Sequence, residues 1–169
     1  MRHLPRRLAP LAVLGVLALG ACSGPSPDAE FAEGGAAADA TFTVPGTEKD
    51  EVRFGIESIV VSGATMELRL VMTPEFDDGG KAASFYDATG QNSSLTLIDR
   101  ENLKEYRVLE ADGGGRWYKN DEVLTEALPG QSVAFQAFFA APEDDIQAVD
   151  VKLADSWPVF EDVPLTFED

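Results

Sequence analysis

Histidine and cysteine are nearly absent: His3 and Cys22 are the only ones in 169 residues. A Ser-His-Asp or Cys-His catalytic set therefore loses its central residue, as do the usual zinc and copper sites, and no disulfide can form within the chain. Positive charge is also scarce, with 13 Lys and Arg against 30 Asp and Glu and a net charge of −17. Arg2, Arg6 and Arg7 stand before Cys22 with no acid among them, so from Cys22 onward the balance is 13 − 3 = 10 basic against 30 acidic, or −20. A domain this acidic repels phosphate backbones and anionic headgroups, and nucleic acid is excluded as a partner. The triple glycine Gly113-Gly114-Gly115 is followed by Arg116-Trp117 rather than Lys-Ser/Thr, so it is no phosphate loop.

What the N-terminus does contain is a basic segment, with Arg2, His3, Arg6 and Arg7, and an apolar run from Leu8 to Ala21. As a helix that run would reach about 21 Å, short of the roughly 30 Å hydrocarbon core, so it reads as an export signal and not as a permanent span. It closes on Leu19-Gly20-Ala21-Cys22, which resembles the lipobox of bacterial lipoproteins. The resemblance implies cleavage before Cys22, diacylglycerol on its thiol, and a mature protein anchored by lipid at the extracytoplasmic face of the cell membrane. Two acyl chains hold far more strongly than one, at about 0.8 kcal/mol per buried methylene. Arg6-Arg7 do not by themselves choose between the Sec and twin-arginine export routes.

Residues 1–21 are thus the expected signal peptide, and 22–40 the acylated cysteine and an Ala/Gly/Pro-rich tether with Phe31 as its only large apolar side chain. The remainder, 41–169, is long enough for one domain with a real core. Its periodicity is 2. Met66, Leu68, Leu70 and Met72 share one face, as do Val133, Phe135, Ala137 and Phe139, and Val149, Val151 and Leu153; Val52, Phe54, Ile56, Ser58 and Val60 form another expected inward row. Further strands are expected at 95–99, 105–110, 122–127 and 163–167, and 73–94 is expected to be loop with a short edge strand near Ser84 to Asp87. Turn signals between these runs, with no long helical period, predict an all-β, antiparallel sandwich.

The succession of Asp99, Tyr106, Pro129-Gly130, the aromatic strand Phe135 to Phe139, Pro142 and the alternating Val149 to Leu153 resembles the immunoglobulin-like extracellular domain of small lipoproteins of the DUF4352, telokin-like type. The resemblance spans about Val52 to Leu165, implies an immunoglobulin-like sandwich and brings no catalytic residues with it. The acidic stretch 73–94 departs from that plan.

Candidate chemistry is sparse. Met66 and Met72 are soft copper ligands by type, yet they lie on an inward strand face. Ser84 with Lys81 is a serine–lysine pair that nothing visibly activates. Thirty acids guarantee chance carboxylate pairs, so a carboxylate-dependent hydrolase has no specific signal. Calcium would need two of the clusters Asp77-Asp78, Asn120-Asp121-Glu122 and Glu143-Asp144-Asp145 to come together, and none has EF-hand spacing, so no metal or cofactor is expected. Trp117 and Tyr118, beside Arg116 and Lys119, either return onto the core from a hairpin or stand exposed as a contact surface; Trp157 is expected to close one end of the sandwich. The resulting expectation is a lipid-anchored, non-enzymatic binding module for an unknown protein or small ligand, with Arg116, Trp117 and Tyr118 as its binding residues. The alternatives are an accessory subunit of an envelope complex and the hydrolase.

Overall fold

The computed structural model describes residues 36–76, 80–112 and 114–168. The expected signal peptide, Cys22 and the expected tether up to residue 35 lie outside the described residues, as do Asp77 and Asp78. The elements in chain order are β1 (Ala38–Thr43), β2 (Glu51–Ser62), β3 (Thr65–Pro74), β4 (Ala83–Ser84), α1 (Phe85–Ala88), β5 (Ser93–Asp99), β6 (Lys104–Arg107), β7 (Glu126–Ala127), β8 (Val133–Ala140), β9 (Ala148–Ala154) and β10 (Phe160–Glu168). The described chain is mostly β. β1 starts at Ala38 and pairs with β2 from there, so residues 38–40 of the expected tether belong to the sheet.

One eight-stranded sheet runs β6-β5-β9-β10-β2-β3-β8, with β1 also on β2, and a two-stranded sheet pairs β4 with β7. The large sheet is mixed: β10 is antiparallel to β9 over Phe160–Pro164 and then parallel to β2 over Leu165–Glu168, against the expectation of a wholly antiparallel arrangement. The sheet curls until its ends meet. Just past β6, Val108 bridges Phe139 of β8, and the Leu109 N–H donates to the Phe138 carbonyl at 2.8 Å.

The alternating rows of β3, β8 and β9 point inward as their period requires; Met66, Leu68, Leu70, Met72, Phe135, Ala137, Phe139, Val149, Val151 and Leu153 are buried. The β2 row does not continue as expected. Ile56 pairs with Leu70 but Ser58 with Arg69, so Glu57 is an extra residue, a bulge that reverses the phase. Val52, Phe54 and Ile56 are buried before it and Ile59 and Val61 after it, while Ser58 and Val60 are only half-buried.

The stretch near Ser84 is a helix and not an edge strand beyond its first two residues. Ser84 caps it, its Oγ accepting from Asp87 N at 3.1 Å and donating to Asp87 Oδ2 at 2.6 Å. The cap aims Phe85 into the core, where its ring stacks on Phe135 at 4.1 Å and meets the edge of Phe54 at 5.6 Å. Side chains of this size each contribute roughly 1.5–3 kcal/mol on burial, which is how a one-turn helix is held without length of its own. Nearby, Trp157 stacks on Phe42 at 4.6 Å and its Nε1 donates to the Thr43 carbonyl at 3.0 Å. Gly90, at φ +67°, closes this end because a Cβ there would come within 2.6 Å of Pro45.

Along β9, beside β5 and β10, the fold is held by polar groups. Asp150 is buried in β9, ion-paired with Arg100, and accepts from Asp162 N at 3.0 Å. Asp162 has φ 54° within the β10 irregularity between Phe160 and Val163, so the carboxylate satisfies the backbone group that the bulge frees. Arg100 also reaches Glu161 at 2.9 Å. Asp99, likewise buried, accepts from the Asn102 backbone and side-chain nitrogens at 2.9 Å each. Burial works against its charge, but those hydrogen bonds hold its pKa below the ordinary aspartate value.

Candidate functional site

Between β6 and β7 the chain folds into a hairpin that lies across the edge of β8. Glu110 bridges Trp117, Ala111 N donates to the Arg116 carbonyl at 2.7 Å, and Gly115 N donates to Glu110 Oε1 at 2.6 Å. The turn uses Gly114 and Gly115 at φ 76° and 79°, which is what the glycine run supplies. The returning arm is then tied down by backbone bonds. Tyr118 N donates to the Leu109 carbonyl, Phe138 N to the Tyr118 carbonyl and Asn120 N to the Gln136 carbonyl, each at 2.9 Å. Asn120 Oδ1 accepts from Gln136 N at 2.7 Å. The edge of β8 is covered, which removes an aggregation hazard.

Because Phe135, Ala137 and Phe139 of β8 already fill the inner face, the aromatics of the hairpin are left outside it. Trp117 is 51% exposed and Tyr118 54%. Of the two dispositions open from the sequence, the exposed one is found. The chain then turns at Asp121, whose Oδ1 accepts from Val123 N and Leu124 N at 2.9 and 3.0 Å and leaves both aliphatic side chains in solvent. Glu122 is tied inward by Lys119 Nζ at 2.5 Å and Ser93 Oγ at 2.6 Å. Among the described residues Arg116 forms no ion pair.

These groups line a run of three adjoining depressions. The first, about 420 Å³, is bordered by Arg116, Trp117, Lys119, Asp121, Glu122 and Val123. The second, about 280 Å³, shares Trp117, Lys119 and Asn120 with it and adds Tyr118, Gln136 and Phe138. The third, about 260 Å³, shares Asn120 and Gln136 with the second and extends to Glu57 and Arg69. Arg69 donates to Glu67 Oε1 at 2.6 Å, and Gln136 Nε2 donates to the same oxygen. The bond from Arg69, opposed by partial burial and assisted by Gln136, holds the Glu67 pKa below the ordinary glutamate value. Arg116, Trp117 and Tyr118, consecutive in the chain, border the first two of these depressions, and the topology adds Asn120, Gln136, Glu57 and Arg69. Gln136 carries no local signal in the sequence: it is an outward residue between two inward ones, placed here by pairing.

The other candidates are dispersed. Ser84 is buried and committed to its cap, with Lys81 exposed. Met66 and Met72 are fully buried in the core. Glu143 and Asp144 approach Lys104 at 3.7 and 2.5 Å. Among the described residues no group of three or more His, Cys, Asp or Glu is arranged to hold a metal ion. Near Lys104 the Tyr106 hydroxyl is buried with no hydrogen-bond partner among the described residues; burial, and then the Asp99 charge, push its pKa up. A larger crevice of about 610 Å³ lies between residues 40–47 and 156–160. Its floor is the Phe42–Trp157 stack, whose one indole donor is already spent on Thr43. No helix among the described residues is long and apolar enough to cross a membrane. No protein-family model, curated protein or solved structure matches the chain.

Proposed function

We propose that the chain is a lipoprotein anchored through acylated Cys22 on the extracytoplasmic face of the cell membrane, and that its domain is a non-enzymatic binding module acting through the surface around Trp117. The immunoglobulin-like reading of the domain draws support from strand order. β2, β3 and β8 neighbour one another as strands A, B and E do in that plan, and β5, β9 and β10 as C, F and G do. The parallel contact of β10 with β2 is the single departure from antiparallel pairing among the named strands.

The observation that carries the binding role is where the apolar surface collects. Of eight large apolar side chains exposed among the described residues, five (Trp117, Tyr118, Val123, Leu124 and Leu128) fall within 117–128. Exposed apolar groups scattered singly need no explanation, but three of these, Trp117, Tyr118 and Val123, line the adjoining depressions, and apolar side chains collected along a groove mark an interaction surface. A non-enzymatic role is supported by how the polar groups are spent: Ser84 in a helix cap, Asp99 in a turn, Asp150 on a bulge and an arginine. The second reading, an accessory subunit of an envelope complex, draws on Val123 and Leu124, which at 59% and 78% exposure offer aliphatic contact and no polar recognition.

The anchor is tested by fractionation. Cys22→Ser is expected to move the protein from the membrane to the soluble fraction, and retention in the membrane would remove the lipobox reading. The binding surface is tested by a photo-crosslinking residue at Tyr118 in intact cells. An adduct that disappears on Trp117→Ala is expected, and the absence of any adduct would count against the site.

A further inference from the structure

The groove beside Trp117 has a lining that narrows the class of ligand, and this inference rests on the reading of that surface as the binding site. Its main chain is already used. Tyr118, Lys119 and Asn120 all donate their N–H groups within the protein, and the Trp117 and Tyr118 carbonyls both accept. An extended peptide therefore finds little free main chain along 117–120 to add to. Recognition has to come from side chains.

The charges do not select a sign. Arg116 and Lys119 border the first depression together with Asp121 and Glu122, and both Arg69 and Glu57 line the third. A polyanion would also meet the −20 of the chain from Cys22 onward. An entirely apolar ligand would strand the polar half of the lining. What remains is two half-exposed aromatic rings on one hairpin arm, flanked by the amides of Asn120 and Gln136 and by carboxylates, along three depressions that share residues end to end. We propose that this groove binds a neutral oligosaccharide chain. The C–H faces of its pyranose units lie on Trp117 and on Tyr118, and their hydroxyls, each a donor and an acceptor, pair with what hydrogen-bonding capacity remains on the amides and carboxylates beside them. The repeat of a sugar polymer suits a run of adjoining depressions better than one closed pocket does, and shallow sites of this kind bind with bridging water.

The test uses the full chain with Trp157→Phe, which leaves Trp117 as the one indole reporter. It is titrated with the hexasaccharides of glucose, mannose and N-acetylglucosamine and with insoluble cell-wall glycan. A saturable change in Trp117 fluorescence with at least one of them is expected, little altered between low and high salt because no ion pair is made. In the otherwise native chain, calorimetry should show affinity falling about tenfold on Trp117→Ala, the equivalent of a lost aromatic stacking contact. It should fall several-fold on Gln136→Ala, and Leu103→Ala, an exposed leucine outside the groove, should leave it unchanged. Gln136→Ala is judged beside its unfolding midpoint, so that loss of fold is not counted as loss of ligand. Absence of binding to every one of these sugars, or binding that Trp117→Ala leaves intact, overturns the inference. If the sugars fail while the Tyr118 crosslinker captures a protein in a Trp117-dependent way, the oligosaccharide is wrong and the binding module stands; if both fail, both readings fall.

Discussion

The two tryptophans make opposite use of the same side chain. Trp157 is 9% exposed, lies flat on Phe42 with 15° between the ring planes, packs near Phe54, and spends its N–H on a carbonyl. Trp117 is 51% exposed on the outside of the hairpin that covers β8. Both follow turns in the sequence, and their neighbours, Arg116 and Tyr118 in one case and Ser156 and Pro158 in the other, do not fix whether the ring is buried. The difference lies in what the adjoining strands have already done. β9 and β10 leave a gap at their junction that an indole fills. β8 has closed its inner face with Phe135, Ala137 and Phe139 before the hairpin reaches it, so an indole there has only the outer face left. Burial of a large aromatic is set by vacancy in the core and not by the residue's own preference.

Removing the buried ring is the strongest way to break the comparison. Trp157→Ala deletes the stack with Phe42 and leaves a cavity beneath residues 40–47; a loss of about 3–5 kcal/mol is expected, read as a fall in the urea midpoint at constant m-value. A loss below about 1 kcal/mol would mean that the β1 end collapses freely over the gap and that the ring is not what closes it. Gly90→Ala strikes the same end from the other side. It places a methyl within 2.6 Å of Pro45 in a left-handed backbone conformation, and about 1–3 kcal/mol should be lost.

How much of this was legible before the structure follows from the range over which each signal acts. The rows of β3, β8 and β9 were readable because alternation is local and each strand keeps one phase. The β2 row was readable only as far as Ile56: a bulge at Glu57 adds a residue without changing the kind of residues used, and only the pairing with β3 exposes the shift. α1 did carry a local mark, Ser84 three residues before Asp87, the spacing of a helix cap, overshadowed by the glycines and acids around it. The parallel turn of β10 onto β2 joins residues about a hundred apart and has no local mark. At the candidate site Arg116, Trp117 and Tyr118 announced themselves as an aromatic pair beside rare cations. Asn120 and Gln136 did not, because their neighbourhood is made by β8.

Where β9 meets β5 and β10 the fold relies on hydrogen-bonded carboxylates, and pH separates these groups from the aromatic cluster. Because the Asp99 pKa is lowered in the folded state, its contribution is fully present above the unfolded value and is lost as pH falls through the folded one. Asn102→Ala removes the side-chain donor and should cost about 1–2 kcal/mol at neutral pH, with the deficit closing in acid as wild type loses the same contribution. The Trp157→Ala deficit should stay level across the same range, since no titrating group takes part in the stack. Parallel pH profiles for the two variants would show that Asn102 acts by shape and not through the carboxylate.

The smallest expected effect is the one that separates the two tryptophans most sharply. Trp117→Ala removes a ring that is half in water and touches the outside of a hairpin held by backbone bonds. Those bonds, from Ala111, Tyr118, Phe138 and Asn120, do not involve the indole and survive its loss. The stability change should therefore stay within about 0.5 kcal/mol, the range of ordinary surface substitutions, and the indole removed contributes no cavity term. Measured side by side, Trp157→Ala should shift the urea midpoint strongly and Trp117→Ala hardly at all. A destabilisation of about 2 kcal/mol or more at Trp117 would mean that the ring pins the hairpin to β8. Its exposed half would then be the by-product of a structural contact, and the concentration of apolar surface between residues 117 and 128 would lose its most telling member as a mark of binding.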